Sequence, residues 1–214
     1  MAERSILHTD DGVAIEAELA TATGARPVRA GCVLCHPHPQ FDGSMYSLAI
    51  GSLFAALPDT GVSTPRFNFR GVGHSTGIHD HGDHERLDVE AAIGRLDSEL
   101  PAGIPLLLAG WSFGADIALS VRHPRVSAWL AIAPPLRSAR DLDALAPDPR
   151  RKLVVLAQHD EFCDPDDIAR EVAAWTNARV ELIGGASHFF VGRTDRLVEV
   201  AVDYVEQVTV SPSP

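Results

Sequence analysis

Short apolar segments alternate with segments of helical period along most of this chain. The strand candidates are residues 31–35, 62–69, 106–109, 128–133, 153–157 and 180–183. Several of them lack alternating polar positions, which is typical of strands that are buried on both faces of a parallel sheet. Ahead of them, Asp10-Asp11-Gly12 separates two further apolar segments and predicts the turn of an antiparallel hairpin.

Helical stripes fall between the strand candidates. Apolar side chains at positions 89, 92, 93, 96 and 100 share one helix face, and residues 197–208 carry a second such stripe. Residues 115–123 predict a third helix, which Pro124 ends. This alternation predicts a three-layer α/β/α sandwich with a mostly parallel, twisted sheet and a leading antiparallel hairpin. We expect a single domain over residues 1–210 and a frayed tail at 211–214.

Composition and charge exclude several classes of protein. With 45% hydrophobic and 22% charged residues, the chain is typical of a globular domain and not of a disordered one. Its 18 basic and 29 acidic residues give a net charge of −11 without a local basic patch, so we expect no nucleic-acid partner and no membrane partner.

Two features of the sequence bear on where the protein resides. No apolar run reaches the ~18 residues of a membrane span, and the first residues lack the apolar core of a secretory signal. The three cysteines are odd in number and too few for a disulfide framework. Together these features predict a cytoplasmic location.

A nucleophile motif follows the strand candidate 106–109. Gly110-Trp111-Ser112-Phe113-Gly114 is G-x-S-x-G, and it stands between that strand and the helix predicted from residue 115. In this context the two glycines let strand and helix approach closely, and the serine hydroxyl is exposed on the turn. A helix N-terminus also favours developing negative charge. Ser112 is therefore the predicted nucleophile.

A serine nucleophile needs a base, and the base needs an orienting carboxylate. Asp160 and His188 each follow a strand candidate, and loops at the carboxyl ends of parallel strands lie at one edge of a sheet. The chain order serine, acid, histidine is the one expected for a triad on this kind of sheet. Glu161 and Asp164 are rival acids, because only one carboxylate can face the imidazole.

Further motifs lie outside the nucleophile turn: residues 36–43 read HPHPQFDG, 66–73 read RFNFRGVG, 131–135 read AIAPP and 185–190 read GASHFF. Together with the G-x-S-x-G motif, they resemble those of the α/β-hydrolase superfamily, in particular a small lidless branch close to the dienelactone hydrolases. The resemblance covers nearly the whole chain. It implies the α/β-hydrolase fold and a triad of Ser112, Asp160 and His188.

The sequence departs from the family pattern in two places. Ala157 and Asp42 stand where glycines are usual, and the second change bears on the loop that would hold an oxyanion. True dienelactone hydrolases use a cysteine nucleophile, so Ser112 argues against that exact activity.

Backbone N–H groups are expected to bind the oxyanion. Phe113, the residue after the nucleophile, supplies one of them. The second should come from the loop after residues 31–35, where prolines 37 and 39 have no N–H, so His38 is the first candidate and Gln40 the next.

The surroundings of the predicted site bear on the substrate. Trp111 and Phe189 flank the site, and they either line a substrate pocket or belong to the core. Residues 134–152, where a lid is usually inserted in this fold, leave room for only a short helix. We therefore expect no cap domain and an open site.

Two other patterns suggest metal or haem chemistry. Residues His79 to His84 read H-x-H-x-D-H, the ligand string of metallo-β-lactamase-type hydrolases, and His159 and His188 could add ligands to it. That class has many strands before its motif, whereas this chain alternates strands and helices. Residues 32–36 match C-x-x-C-H, the c-type haem pattern, but residues three apart on a strand point to opposite faces. We expect no metal and no other cofactor.

These observations predict a serine hydrolase of the carboxylesterase type that cleaves small soluble acyl esters through an acyl-enzyme. Two alternatives remain: a metal-dependent hydrolase that uses the string from His79 to His84, and a non-catalytic binding scaffold. An edge strand at residues 180–183 would also allow a homodimer through strand pairing.

Overall fold

The computed structural model describes residues 2–23 and 27–210, and eight strands within them form one sheet in the order β1-β2-β4-β3-β5-β6-β7-β8. The strands are β1 (Glu3–His8), β2 (Ala14–Ala20), β3 (Ala30–Cys35), β4 (Val62–Phe67), β5 (Leu106–Trp111), β6 (Val126–Ile132), β7 (Arg151–His159) and β8 (Ala178–Ser187). The predicted tail at 211–214 lies outside the described residues.

The direction of the strands confirms the predicted sheet. β1 and β2 form an antiparallel hairpin, and β2 also pairs with β4 antiparallel. The six strands β3 to β8 all run parallel to one another. The hairpin turns at Gly12, whose φ of +82° suits a residue without a side chain. The sheet is therefore mostly parallel with a leading antiparallel pair.

Helices cover both faces of this sheet. They are α1 (Leu48–Ala56), α2 (Glu85–Asp97), α3 (Phe113–Ser120), α4 (Leu142–Leu145), α5 (Pro165–Val172) and α6 (Thr194–Val210). The apolar side chains of α2, α3 and α5 belong to one core, and those of α1 and α6 belong to a second core on the opposite face. Cys35 lies in the first core and Cys32 in the second, which confirms that the two thiols point to opposite faces.

Two helices were not anticipated, and one ends early. α1 is apolar on most sides and therefore lacks a clear stripe, while α5 begins at an Asp164-Pro165 pair in which the Asp164 side chain accepts the N–H of Asp166. α3 ends at Ser120 and not at residue 123: Val121 is already extended, and the buried Trp129 indole N–H binds the carbonyls of Ala118 and Val121.

The connection from β6 to β7 contains only the four-residue helix α4, so no cap domain covers the end of the sheet. This confirms the expected lidless fold. β8 lies at an edge of the sheet, as predicted, and pairing of this edge across a homodimer stays a prediction. None of the described helices is both long and apolar enough to cross a bilayer.

Glycines shape the turn between β5 and α3, where the serine motif lies. A Cβ atom on Gly114 would stand 2.3 Å from the backbone oxygens of both Cys35 and His36, and one on Gly110 would stand 2.2 Å from the oxygen of Gly114. Backbone oxygens cannot move aside as a flexible side chain can. Both glycines of the motif are therefore required for α3 to pack against the end of β3.

We expect Gly114→Ala to lower the free energy of unfolding by about 2 kcal/mol or more, since the added methyl group forces backbone apart. Gly94→Ala is the matched control: it lies in α2 with open space around its Cβ position, and it should raise stability by ~0.5–1 kcal/mol. Urea unfolding of both variants measures the difference. Equal midpoints for Gly114→Ala and the parent chain would contradict this packing.

Candidate active site

Ser112 occupies the turn between β5 and α3 with a backbone φ of 56° and ψ of −122°. Few residues other than glycine adopt a positive φ. Such strain persists only where the surrounding structure holds the backbone in place, and it is concentrated at functional sites. The Ser112 carbonyl accepts the N–H groups of Ala115 and Asp116, and its N–H donates to Ile132 at 2.8 Å. The hydroxyl is thus held at the N-terminus of α3.

His188 follows the last residue of β8 and reaches across the sheet edge to the serine. Its Nε2 lies 2.9 Å from Ser112 Oγ. Two contacts hold its backbone: the Trp111 indole N–H donates to the His188 carbonyl at 3.0 Å, and the His188 N–H donates to a Glu161 carboxylate oxygen at 3.0 Å. The ring is buried, so its position is fixed by packing as well as by these bonds.

Asp160 follows β7 and completes the row of side chains. Its Oδ2 lies 2.8 Å from His188 Nδ1, and its Oδ1 accepts the N–H groups of Phe162 and Cys163 at 2.9 and 3.1 Å. Burial opposes ionisation of this carboxyl group, but the bonds from His188 and the two N–H groups outweigh it and lower its pKa. Asp160 is therefore held as a carboxylate facing the imidazole.

The structure also separates the three rival acids. Asp160 faces the His188 ring, Glu161 holds the His188 backbone, and Asp164 begins α5 as its N-cap. Each carboxylate has a different partner. The role of Glu161 was not foreseen, because nothing in the local sequence pairs it with a residue 27 positions later.

The loop after β3 lies beside the first turn of α3. The His38 ring packs against the Phe113 ring with centroids 4.9 Å apart. Gln40 N–H donates to His38 Nδ1, so that N–H group already has a partner, while the His38 carbonyl accepts from Phe41 and Gly43. Of the two oxyanion candidates in this loop, the Gln40 N–H is therefore engaged within the loop, and the roles of the His38 and Phe113 N–H groups stay predictions.

The departure at position 42 leaves this loop intact. Asp42 has a φ of 58° and a ψ of 21°, a left-handed conformation that Asp tolerates better than most residues with a side chain. Gly43 cannot be replaced so easily, since a Cβ there would stand 2.2 Å from the Pro37 oxygen. The sequence keeps glycine at the position where packing leaves no room.

Aromatic side chains form a wall beside His188. The Trp111 ring is only 4% exposed, so it acts mainly through its bond to the His188 carbonyl. Phe162 and Phe189 are 52% and 46% exposed, and their ring centroids lie 4.7 and 5.7 Å from that of His188. The exposed part of the wall therefore consists of Phe162 and Phe189, which meet edge to face.

The histidine string from His79 to His84 has structural partners of its own. His79 Nδ1 lies 2.6 Å from Glu85, and His84 pairs with Asp80. Among the described residues, the string forms no group of three converging ligand atoms; the group that does converge is Asp160, Cys163 and His188. The Glu85 carboxylate at the start of α2 accepts the N–H groups of Asp80 and Gly82, so the string is bound to the first turn of this helix.

Comparison with known proteins places the chain in a family, although no protein-family model matches it. An uncharacterized protein of Rickettsia prowazekii is 33% identical over 201 residues, which cover 89% of this chain and 84% of that protein. An α/β serine hydrolase homologue from Coxiella burnetii is 30% identical, with a TM-score of 0.85 over 94% of this chain and 96% of that one. The chain belongs to the α/β serine hydrolases.

A second solved structure agrees with the lidless form of this hydrolase. A serine hydrolase without a lid from Xanthomonas campestris is 26% identical, with a TM-score of 0.86 over all of this chain and 96% of that one. In this chain the short β6–β7 connection is the place where a lid is absent.

Separate substitution of Asp160 and of Glu161 by the corresponding amide should distinguish the roles of these two acids. Asp160→Asn should lower the kcat for p-nitrophenyl acetate by about 10⁴-fold, because an amide favours the wrong imidazole tautomer. Glu161→Gln keeps an oxygen that can accept the His188 N–H, so it should lower kcat by only about threefold. Steady-state kinetics of the two variants is the measurement, and similar losses in both would contradict the assignment.

Proposed function

We propose that this hydrolase is a carboxylesterase that cleaves small soluble acyl esters through an acyl-enzyme. The observation that carries the proposal is the continuous row of contacts from Ser112 Oγ to His188 Nε2 at 2.9 Å and from His188 Nδ1 to Asp160 Oδ2 at 2.8 Å. Nucleophile, base and orienting carboxylate within hydrogen-bond reach are the requirements for acyl transfer to serine.

The reaction runs in two halves at this row. His188 takes the Ser112 proton as the hydroxyl attacks the ester carbonyl, and it then gives that proton to the leaving alcohol. Water, deprotonated by the same ring, next attacks the acyl-serine and releases the acid. Asp160 holds the imidazole tautomer and stabilises the imidazolium in both halves.

Charge develops on the carbonyl oxygen in each tetrahedral intermediate. The backbone N–H groups of Phe113 and His38 are the donors that we assign to it. Phe113 begins α3, so the helix N-terminus adds its own favourable potential to the first donor. The close packing of the His38 and Phe113 rings, with centroids 4.9 Å apart, supports this assignment because it brings the loop after β3 against the first turn of α3.

The leaving alcohol must lie on the His188 side of the serine, because the same ring protonates the leaving oxygen. The half-exposed rings of Phe162 and Phe189 stand there. We therefore assign the leaving group, and not the acyl group, to this wall, with Trp111 beneath it. Esters of aromatic or branched apolar alcohols gain contact area with the two rings, whereas methyl esters do not.

No observation favours the metal-dependent alternative, since within the described residues the side chains from His79 to His84 do not bring three ligand atoms together. A small-molecule ester as partner and a cytoplasmic location stay predictions. The free thiols of Cys32, Cys35 and Cys163 are consistent with a reducing compartment.

The nucleophile can be tested by covalent labelling. A fluorophosphonate probe should modify Ser112 once per chain, as mapped by mass spectrometry, and Ser112→Ala should abolish labelling and lower kcat by about 10⁶-fold. Ser98→Ala, an exposed serine after α2, is the matched control and should label normally. Labelling of a different serine in the parent chain would overturn the proposal.

The leaving-group wall predicts a selective effect. Phe189→Ala should lower kcat/KM for benzyl acetate by about tenfold, because the benzyl ring of the leaving group loses its contact with the Phe189 ring. The same variant should change kcat/KM for methyl acetate by less than about twofold. The two esters share the same acetyl-enzyme, so a difference between them must arise before it forms. Ile6→Ala, an exposed apolar side chain on β1, controls for general loss of surface. Equal losses for both esters would refute the assignment.

A further inference from the structure

A third ligand-bearing side chain lies against the Asp160–His188 pair, and the proposed reaction does not use it. Cys163 is 9% exposed and carries a free thiol. The turn in which Asp160 Oδ1 accepts the N–H groups of Phe162 and Cys163 folds the chain back on the carboxylate. As a result, one carboxylate oxygen, the sulfur and one ring nitrogen of His188 all lie within 4.8 Å of one another.

This donor set suits zinc. Thiolate, imidazole and carboxylate are the three side-chain types that bind Zn²⁺, at about 2.0–2.3 Å, and ligand atoms around a tetrahedral ion are then about 3.3–3.8 Å apart. No pair of the three atoms lies more than about 1 Å beyond this spacing, and Asp160 Oδ2 and His188 Nδ1, which are 2.8 Å apart, lie slightly inside it. Loss of the thiol proton and of any proton on the bound ring nitrogen to solvent completes the exchange, and no electron transfer is involved.

A cavity provides the route for an ion. It has a volume of about 740 Å³ and is lined by both Asp160 and Cys163. Its remaining wall includes four further carboxylates, those of Glu161, Asp164, Asp166 and Asp167, and one opposing cation, Arg137. A cavity of this charge attracts divalent cations, and it has room for the water that fills a fourth coordination position.

We propose that Zn²⁺ binds at Asp160, Cys163 and His188 and inhibits the enzyme. A cation on Nδ1 takes the place of the proton that links the ring to Asp160. A cation on Nε2 occupies the nitrogen that accepts the Ser112 proton. In both cases His188 no longer acts as a base, so activity stops while the fold stays intact.

Binding is best measured without catalysis. Ser112→Ala retains all three ligands, and competition with a chromogenic chelator should show one Zn²⁺ per chain with a dissociation constant of about 1 μM or tighter. Cys163→Ser in the same background should weaken binding by about 100-fold, and Cys163→Ala serves as a second variant if the first is unstable. Co²⁺ used in place of Zn²⁺ should give a thiolate-to-metal charge-transfer band that both Cys163 variants lack.

The exposed histidines provide the competing outcome. His84→Ala removes a ligand from the string before α2 and should leave Zn²⁺ binding unchanged. If His84→Ala weakens binding and Cys163→Ser does not, the ion is adventitious at the histidine string and the proposal fails. If Ser112→Ala binds no Zn²⁺ at a free Zn²⁺ concentration 100-fold above the expected dissociation constant, the proposal fails as well.

Inhibition is a separate measurement in the unsubstituted enzyme. Zn²⁺ should abolish hydrolysis of p-nitrophenyl acetate, a chelator should restore it, and the Cys163→Ser variant should need about 100-fold more Zn²⁺ for the same inhibition. Because the binding measurement uses the inactive Ser112→Ala chain, its outcome does not depend on the proposed esterase function. Zinc that binds at Cys163 but leaves hydrolysis unchanged would refute the inhibitory role.

Discussion

The close approach of α3 to the end of β3 is the contact on which the rest of the site depends. Gly114 has no room for a Cβ beside the carbonyls of Cys35 and His36, and the chain reaches this packing only by turning through a positive φ at Ser112. One steric condition therefore fixes the nucleophile, the helix N-terminus behind it and the neighbouring loop after β3.

A second constraint is distance across the sheet, because β6 and β7 separate the serine strand from β8. His188 spans this gap on a segment that leaves the sheet after Ser187, next to a register shift near the end of β7. The Trp111 indole on the serine strand and the Glu161 carboxylate after β7 each bind the backbone of His188. The Trp111 bond thus ties β5 to the end of β8, which is not its neighbour, and the Glu161 bond ties the loops after the neighbouring strands β7 and β8.

The fold class and the three side chains that converge could be predicted from the sequence, since hydrophobic periodicity, the ends of strands and the order of motifs can be read along the chain. Ser112, Asp160 and His188 follow from these rules, and distance confirms their convergence. Other features depend on tertiary contacts. Glu161 binds the backbone N–H of His188, 27 residues later, and Trp111 is buried because it belongs to the core that α1 and α6 cover. Helix α1 escaped prediction because a helix apolar on most sides shows no period.

The short connection between β6 and β7 places no cap over the end of the sheet where Ser112 lies. A lid that closes over an acyl-enzyme can exclude some nucleophiles from it. In this chain the only helix in the β6–β7 connection is the four-residue α4. In the acyl-enzyme that we propose, water and any small alcohol in solution would therefore compete for the acyl group according to their concentrations and intrinsic reactivity. Transfer to added alcohols would then be an inherent side reaction, and the surrounding solution rather than the protein would decide how much product is acid and how much is a new ester.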